Sequence, residues 1–107
     1  MKKLSTREEI LQVLKDEMPY LKDKYGVERI AIFGSFAKDS QTKKSDVDIL
    51  VQFSKPLGFG FIELADHLED VLGRKVDIST FNHLMRSKEN PRYKHIALDI
   101  ERTMIYV

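Results

Sequence analysis

Two aspartates, Asp46 and Asp48, stand at the head of residues 49–53, which are apolar except for Gln52 and predict a β-strand. Side chains alternate between the two faces of a strand, so both carboxylates point to one side while Val47 points to the other. Like charges this close oppose each other's ionisation. A hard divalent cation with oxygen ligands relieves that repulsion, and in phosphate chemistry this cation is Mg²⁺. The pair therefore predicts a magnesium site at the start of the strand.

A second apolar run precedes the aspartates and ends at a glycine and a serine. Residues 27–33 predict an interior strand, because residues 30–33 are apolar on both faces. Gly34 and Ser35 follow, where the strand gives way to a short helix. Free backbone N–H groups, a hydroxyl and the close approach that glycine permits are suited to holding a phosphate. The sequence thus predicts one cleft in which a metal ion and a phosphate meet.

A third acidic residue is predicted to join the same site. Residues 75–79 predict another strand, in which Val76 and Ile78 share one face and Asp77 lies on the other. If helices cover the apolar faces of both strands, Asp77 emerges on the open face that carries Asp46 and Asp48. We therefore expect three carboxylates to converge there.

These residues resemble a known family signature. Gly34-Ser35, followed at a short interval by the Asp-x-Asp of residues 46–48, resembles the motif of the DNA polymerase β-like nucleotidyltransferase superfamily. Within it the chain most resembles the minimal nucleotidyltransferase (MNT) domains, and the likeness extends over nearly the whole chain. Lys38 and Asp39 stand where that family usually has Arg-Gly. Lysine keeps the positive charge but loses the planar guanidinium, and an aspartate can adopt the left-handed backbone of a glycine.

The resemblance implies a function and a role for each matching residue. MNT domains are antitoxin partners of HEPN ribonuclease toxins, so it implies transfer of AMP from ATP to a hydroxyl, taken to be a tyrosine, of such a toxin. It also implies two Mg²⁺ ions and a third carboxylate that helps to deprotonate the acceptor. The candidate catalytic and metal-binding residues are Asp46, Asp48 and Asp77, and the candidate nucleotide and phosphate ligands are Gly34, Ser35, Lys38 and Ser45. Ser45 would most simply hydrogen-bond within its own turn.

Two alternatives remain open. The chain could be a non-catalytic antitoxin that acts by binding alone, an interpretation that Lys38-Asp39 favours and that the intact Gly-Ser and acidic residues oppose. It could also transfer a nucleotide to a small molecule, which would need an acidic binding pocket. Dependence of neutralisation on Mg²⁺ and a triphosphate tests the first alternative, and a screen of free small acceptors tests the second.

Composition excludes several other classes of protein. The 107 residues, 42% of them hydrophobic, suffice for one domain over residues 1–107 and are too few for two. With 18 Lys and Arg against 17 Asp and Glu the net charge is +1, so no overall field indicates nucleic acid or a membrane as partner. The lack of cysteine excludes disulfides and thiolate metal sites. No apolar run approaches the roughly 20 residues of a membrane helix and no signal peptide is recognised, so we expect a cytoplasmic protein.

The predicted fold is of the α/β (α+β) class, a small mixed sheet with helices packed on one face and the carboxylates on the other. Ser5 or Thr6 should begin the first helix, because both fit a capping box. We expect a kink or a restart at Pro19 and an end at Gly26.

The second half of the chain is predicted in less detail. Residues 54–60 predict a connection, and a helix follows to residue 72. Its polar outer stripe is predicted to include a solvated His67 and Arg74. Asn90-Pro91 predicts the start of a last helix, and residues 104–107 a final short strand. The buried stripe of that last helix is predicted to consist of Tyr93, Ile96, Ala97 and Ile100.

Overall fold

The computed structural model describes residues 4–55, 58 and 60–107. Along these residues the elements follow in the order α1 (Arg7–Tyr25), β1 (Val27–Phe33), α2 (Gly34–Ala37), β2 (Val47–Phe53), α3 (Gly60–Leu72), β3 (Val76–Thr80), α4 (Phe81–Glu89), α5 (Lys94–Thr103) and β4 (Ile105–Tyr106). The predicted α/β (α+β) class is confirmed. The predicted connection over residues 54–60 includes Pro56, Leu57 and Phe59, which lie outside the described residues. None of the described helices is both long and apolar enough to cross a membrane.

The strands form one mixed sheet in the order β3-β2-β1-β4. β1 pairs antiparallel with β2 and with β4, whereas β3 runs parallel to β2. A parallel neighbour needs a crossover connection, and α3 supplies it between β2 and β3. This crossover brings the start of β3 beside the start of β2, where the predicted acidic residues lie.

The first helix has the ends that the sequence predicts. Thr6 is the N-cap: its hydroxyl accepts a hydrogen bond from Glu9 N at 3.1 Å, and the Glu9 carboxylate accepts one from Thr6 N. Gly26 ends the helix in the left-handed conformation, with φ of 69°. Pro19 lies inside one continuous helical segment, so of the two predicted alternatives, a kink or a restart, the restart is wrong.

One face of the sheet is covered by α1 and α3. β2 contributes Val47, Ile49 and Val51 to the core on this face, and each is completely buried. The two helices contribute a stripe of completely buried residues, namely Ile10, Leu14, Leu21, Leu64, Leu68 and Leu72. Burying a Val, Leu or Ile side chain stabilises the fold by about 1.5–3 kcal/mol relative to leaving it exposed. The core thereby fixes the orientation of β2 and turns Asp48 to the opposite face.

The opposite face is covered as well, which corrects the prediction that helices pack on one face only. α4 and α5 lie over it, and a second core cluster forms there from Ala31, Leu50, Phe81, Leu84 and Ala97. The reason is visible in Leu50, which is 2% exposed although it points away from the first core. A central strand with apolar residues on both faces needs a cover on each side. The face that carries Asp48 and Asp77 is therefore partly covered rather than open.

The segment after β3 forms a helix that the sequence pattern did not indicate. Thr80 caps α4, since its hydroxyl accepts a hydrogen bond from His83 N at 3.0 Å. Asn90 ends α4 instead of beginning the next helix, and α5 starts at Lys94. The predicted stripe of α5 is only partly right, because Tyr93 and Ile96 are 45% and 60% exposed. Phe81 and Leu84 of α4 share the second core cluster with Ala97 of α5, so the last helix covers this face together with α4.

Candidate active site

Asp48 and Asp77 are neighbours on parallel strands. Asp48 is the second residue of β2, and its partner in the register of β3 is Asp77. Partners on adjacent strands lie about 4.8 Å apart and project to the same face. Val47 and Val76, the preceding pair in the register, face the first core. The fold thus sets two carboxylates side by side on the face that α4 and α5 partly cover.

This arrangement raises the pKa of the Asp48 carboxyl group. Burial raises its pKa, and the negative charges of Asp77 and Asp46 raise it further, to about 6. The ionised form of Asp48 is therefore costly in the free protein. A bound cation would lower that cost, because it attracts all of the carboxylates that oppose each other's charge.

Gly34 brings the turn after β1 against Asp48. Its φ is 71°, in the left-handed region that glycine enters without a steric penalty. A Cβ atom added at this position would lie 2.1 Å from Asp48 Oδ2 and 3.1 Å from Asp48 Cγ. Any other residue type would force the turn or the carboxylate to move. Glycine at this position thus lets the turn lie directly against one of the predicted metal ligands.

Ser35 lies next to this contact, at the start of α2. Phe36 and Ala37 are buried and anchor the short helix to the core. The main-chain oxygen of Ser35 accepts a hydrogen bond from Ser40 N at 2.9 Å. Within the part of the chain that is described, its hydroxyl has no hydrogen-bond partner. The hydroxyl is therefore available to a ligand beside Gly34.

The three predicted aspartates suit a divalent cation by their chemistry, because carboxylate oxygens are the hard donors that Mg²⁺ prefers. Asp46 precedes β2 instead of belonging to it, and its side chain is exposed. No three Asp, Glu, His or Cys residues among the described ones are close enough together to hold a metal ion as they stand. Asp46 and Asp77 nevertheless both act on the pKa of Asp48. The donor set therefore fits the ion, while the grouping of all three ligands is not formed in this structure.

Ser45 holds its own turn in the loop before β2. Its hydroxyl accepts a hydrogen bond from Thr42 N at 2.8 Å, and Ser45 N donates to Thr42 O at 3.1 Å. This is the role within the turn that the sequence suggested as the simplest one. The turn fixes the main chain that leads into Asp46.

Lys38, at the end of α2, forms an ion pair with α5. Its Nζ lies 2.7 Å from Asp99 Oδ2, and Arg102 Nη2 lies 2.8 Å from Asp99 Oδ1. Hydrogen bonds from Lys38 and then from Arg102 hold the pKa of Asp99 below its usual value. Asp39 has φ of 57°, so it does adopt the left-handed conformation that a glycine would supply. The side chain of Lys38 is thus held by an ion pair with α5.

The prediction that Arg74 lies on the exposed stripe of α3 is wrong. Arg74 follows Gly73, whose φ of 64° ends the helix, so the helical periodicity no longer applies to it. The side chain is buried, and its guanidinium lies 5.1 Å from the centre of the Phe36 ring. It donates hydrogen bonds to three main-chain oxygens, those of Leu4, Lys43 and Ser45. Arg74 therefore fastens the loop that ends at Asp46, and no local pattern in the sequence indicates this.

His67 differs from its prediction as well, because it is partly buried between α1 and α3 instead of solvated. Its Nε2 contacts Glu17 Oε1, and its ring lies 4.9 Å from the ring of Tyr20. Both partners belong to α1, on the side of the sheet away from Asp48. His67 thus joins two helices of the first core.

A cavity of about 460 Å³ opens beside Asp77, between the sheet and the two helices α4 and α5. Its apolar wall consists of Phe33, Leu50, Leu84, Ala97 and Ile100, and its polar groups include Asp77, Ser79 and His83. The volume lies within the range of about 300–1,000 Å³ that is common for ligand sites. No pattern in the sequence indicates this cavity, because none indicates α4, which forms part of its wall.

The combination of strands, glycine turn and paired aspartates has counterparts in known proteins. Residues 9–105 match the family described as nucleotidyltransferase domain. This chain belongs to that family. The nucleotidyltransferase domain is 44% identical, over 105 residues that cover 97% of this chain and 100% of the relative, to a Methanocaldococcus jannaschii protein provisionally named a protein adenylyltransferase. It is 36% identical to the protein adenylyltransferase MntA of Thermococcus cleftensis, over 95% of this chain and 96% of the relative.

Solved structures place the nucleotidyltransferase domain among the minimal members of its family. One structure, provisionally described as a minimal nucleotidyltransferase, is similar with a TM-score of 0.66 and 26% identity, over 94% of this chain and 95% of the other. A chain of another structure, described as a tri-AMPylated Shewanella oneidensis HEPN toxin in complex with an MNT antitoxin, is similar with a TM-score of 0.51. That match has 19% identity and covers 94% of this chain and 66% of the other. At this identity it shows a shared fold.

Proposed function

We propose that this nucleotidyltransferase domain is an antitoxin that transfers AMP from ATP to a hydroxyl, a tyrosine in the simplest case, of a HEPN ribonuclease toxin and so neutralises it. The observation that carries the proposal is the Asp48–Asp77 pair with Gly34 packed against Asp48. A relative that matches almost the whole chain is named a protein adenylyltransferase. A protein of the same fold is described in complex with an AMPylated HEPN toxin. A single domain over residues 1–107, acting in the cytoplasm, would suffice for this role.

The phosphates of ATP would lie against the turn between β1 and α2. Gly34 leaves room for a close approach to the main chain, and the Ser35 hydroxyl is available beside it. Lys38 would contribute a positive charge by sharing its ammonium between Asp99 and an outgoing phosphate. The turn that Ser45 closes would line the same opening from the loop before β2.

Two Mg²⁺ ions would be held by three carboxylates, those of Asp46, Asp48 and Asp77. Asp48 and Asp77 already lie side by side, and the side chain of Asp46 would have to move towards them. When bound, such ions neutralise the charge that develops on the attacking and leaving oxygens of an in-line displacement. Bound cations would also favour the ionised form of Asp48, whose pKa is raised to about 6 in the free protein.

The proposed reaction is a displacement at the α-phosphorus of ATP. The acceptor hydroxyl oxygen forms a bond to that phosphorus, and the bond from the phosphorus to the oxygen that bridges to the β-phosphate breaks. Pyrophosphate leaves, and AMP remains on the acceptor. Asp77 is exposed and borders the cavity that α4 and α5 form, so it can receive the hydroxyl proton and pass it to water.

Neutralisation of a toxin tests the proposal against a contact-only antitoxin. The ribonuclease activity of the protein encoded beside this gene would be measured after incubation with this chain, ATP and Mg²⁺, with ATP omitted or EDTA added as controls. We expect activity to be lost only in the complete mixture, and to be retained when Asp48→Asn replaces the wild type. Equal neutralisation without ATP, or by Asp48→Asn, would show that binding alone is responsible.

A further inference from the structure

We propose that the cavity beside Asp77 and the exposed surface of α4 and α5 around its mouth form the docking site for the acceptor segment of the partner protein. The occupant is a segment that carries an aromatic side chain with a hydroxyl group, flanked by acidic residues. This inference rests on the proposed function, and it adds where the acceptor binds and which residues recognise it.

The position of the cavity favours the acceptor over the nucleotide. Among its polar groups are Asp77 and Ser79, both on the edge strand β3. Gly34, Asp46 and Asp48 do not line it. The acceptor hydroxyl must come within hydrogen-bond reach of the carboxylate that takes its proton. A ring that enters from the α4–α5 side places a hydroxyl at Asp77 without crossing the site of the phosphates.

The lining of the cavity suits an aromatic ring. Phe33, Leu50, Leu84 and Ile100 supply apolar walls, and a carboxylate stands at one end. A phenol ring with its hydroxyl at the carboxylate matches this distribution, because aromatic side chains with a polar tip bury their ring and keep the tip hydrogen-bonded. A purely aliphatic side chain would bring no hydroxyl group to Asp77.

The mouth of the cavity is apolar and exposed. Tyr93 and Ile96 line it, yet they are 45% and 60% exposed, although their helical spacing is that of a buried stripe. Large apolar side chains that border a pocket and remain in contact with water are typical of surfaces that a partner covers. These two residues are continuous with the cavity wall, so one segment can cover them and fill the cavity.

The segment that contributes Ser87 and Tyr93 to the cavity lining carries a surplus of positive charge, which indicates the chemistry of the partner. Residues 86–95 carry Arg86, Lys88, Arg92 and Lys94 and a single acidic residue, Glu89. Lys88 is paired with Glu101. Within the described residues, Arg86, Arg92 and Lys94 form no ion pair. A surplus of positive charge favours a partner surface with acidic residues next to the acceptor.

The chain offers a matched pair of substitutions to test this site. Ile96 on α5 and Ile62 on α3 are 60% and 61% exposed, so Ile96→Asp and Ile62→Asp introduce the same charge at equally exposed positions. The affinity for the protein encoded beside this gene would be measured without nucleotide, and the KM of AMP transfer would be measured for that protein and for ATP. We expect Ile96→Asp to weaken partner affinity and to raise the partner KM by about tenfold or more. Ile62→Asp should change neither, and the KM for ATP should stay constant in both variants.

Arg92→Glu provides a second, independent variant, for which we expect weaker partner binding that depends on salt concentration. The docking site is contradicted if Ile96→Asp and Arg92→Glu bind the partner like the wild type, or if they raise the KM for ATP instead, which would assign the cavity to the nucleotide. If the wild type binds the partner but transfers no AMP, the proposed function fails, and the affinities alone decide on the docking site. If the wild type does not bind the partner at all, the docking site is wrong.

Discussion

A Cβ atom placed on Gly34 would lie 2.1 Å from the Oδ2 atom of Asp48. The turn that follows β1 and the carboxylate on the second residue of β2 therefore leave no room for a side chain between them. The phosphate-binding turn and the metal-binding strand of the proposed active site are thus in contact before any ligand arrives. Because of this contact, a shift of the turn at Gly34 would also shift the carboxylate of Asp48.

Gly34→Ala is expected to lose AMP transfer and to lower the free energy of unfolding. The left-handed backbone alone costs a non-glycine residue roughly 1–2 kcal/mol. Relief of the contact with Asp48 should add about 1 kcal/mol or more. Gly58→Ala is the matched control, because Gly58 has φ of 58° and a Cβ atom there would meet nothing within 4 Å. Urea unfolding of both variants measures the difference, and equal losses would show that the contact carries no cost.

Asp48→Asn is expected to stabilise the protein at neutral pH in the absence of metal. The pKa of Asp48 in the folded protein, about 6, lies above the ordinary value of 3.8. The protonated carboxyl therefore contributes stability that is fully present below the ordinary pKa and is lost as the pH rises through 6. Asparagine stays neutral and avoids this loss. Because solvent screens this half-buried side chain, we expect a gain of about 1 kcal/mol at neutral pH.

Urea unfolding of wild type and Asp48→Asn in EDTA, at a series of pH values, measures this difference in the free energy of unfolding. The difference should shrink as the pH falls from 6 towards 3.8, because the wild-type carboxyl then becomes protonated. A difference that stays constant over this range would contradict the assigned pKa.

Arg74→Lys is expected to destabilise the fold by about 2–3 kcal/mol, because a lysine cannot replace the hydrogen bonds that the buried guanidinium donates to Leu4, Lys43 and Ser45. AMP transfer should fall as well, since the loop that carries Asp46 loses its anchor. Arg102→Lys is the control: its side chain is 77% exposed and its ion pair with Asp99 is at the surface, so stability should hardly change. Thermal unfolding of both variants measures the two losses of stability. Equal losses in Arg74→Lys and Arg102→Lys would contradict the role of Arg74 as an anchor of the loop.

Lys38→Met is expected to raise the KM for ATP by about tenfold, because the variant loses one charge-assisted contact with a phosphate. Its fold should be intact, because Lys38 and its partner Asp99 are both substantially exposed. Lys38→Arg keeps the charge and should keep most of the affinity. Steady-state kinetics with varied ATP measure this, and an unchanged KM in Lys38→Met would remove this lysine from the nucleotide site.

The sequence predicted those features that depend on neighbours along the chain. Alternation on β2 and β3 was enough to put Asp48 and Asp77 on one face, and the register of the parallel strands sets them side by side. The caps of α1 were predictable for the same reason, since Thr6 and Glu9 satisfy each other within one turn.

The features that the sequence did not predict depend on contacts between distant segments. Arg74 is buried because Leu4, Lys43 and Ser45 present their oxygens to it, and these residues are far from it along the chain. The second face of the sheet is likewise covered through contacts between distant segments, because Leu50 of β2 packs against Phe81 and Leu84 of α4 and Ala97 of α5. The sequence of β2 alone does not show which helices bury Leu50. Tyr93 and Ile96 have the spacing of buried residues, but that spacing does not distinguish a core from a surface that a partner covers.

The most direct test of the central claim is the intact mass of the protein encoded beside this gene, measured after incubation with this chain, Mg²⁺ and each nucleoside triphosphate in turn. We expect a mass gain of one or more AMP units with ATP and no gain when Asp48→Asn replaces the wild type, although the variant still binds the partner. A stable complex without any mass gain would contradict adenylyl transfer and leave an antitoxin that acts by contact. Neither complex nor mass gain would contradict the proposed partner as well, and small hydroxyl compounds would then be the acceptors to test.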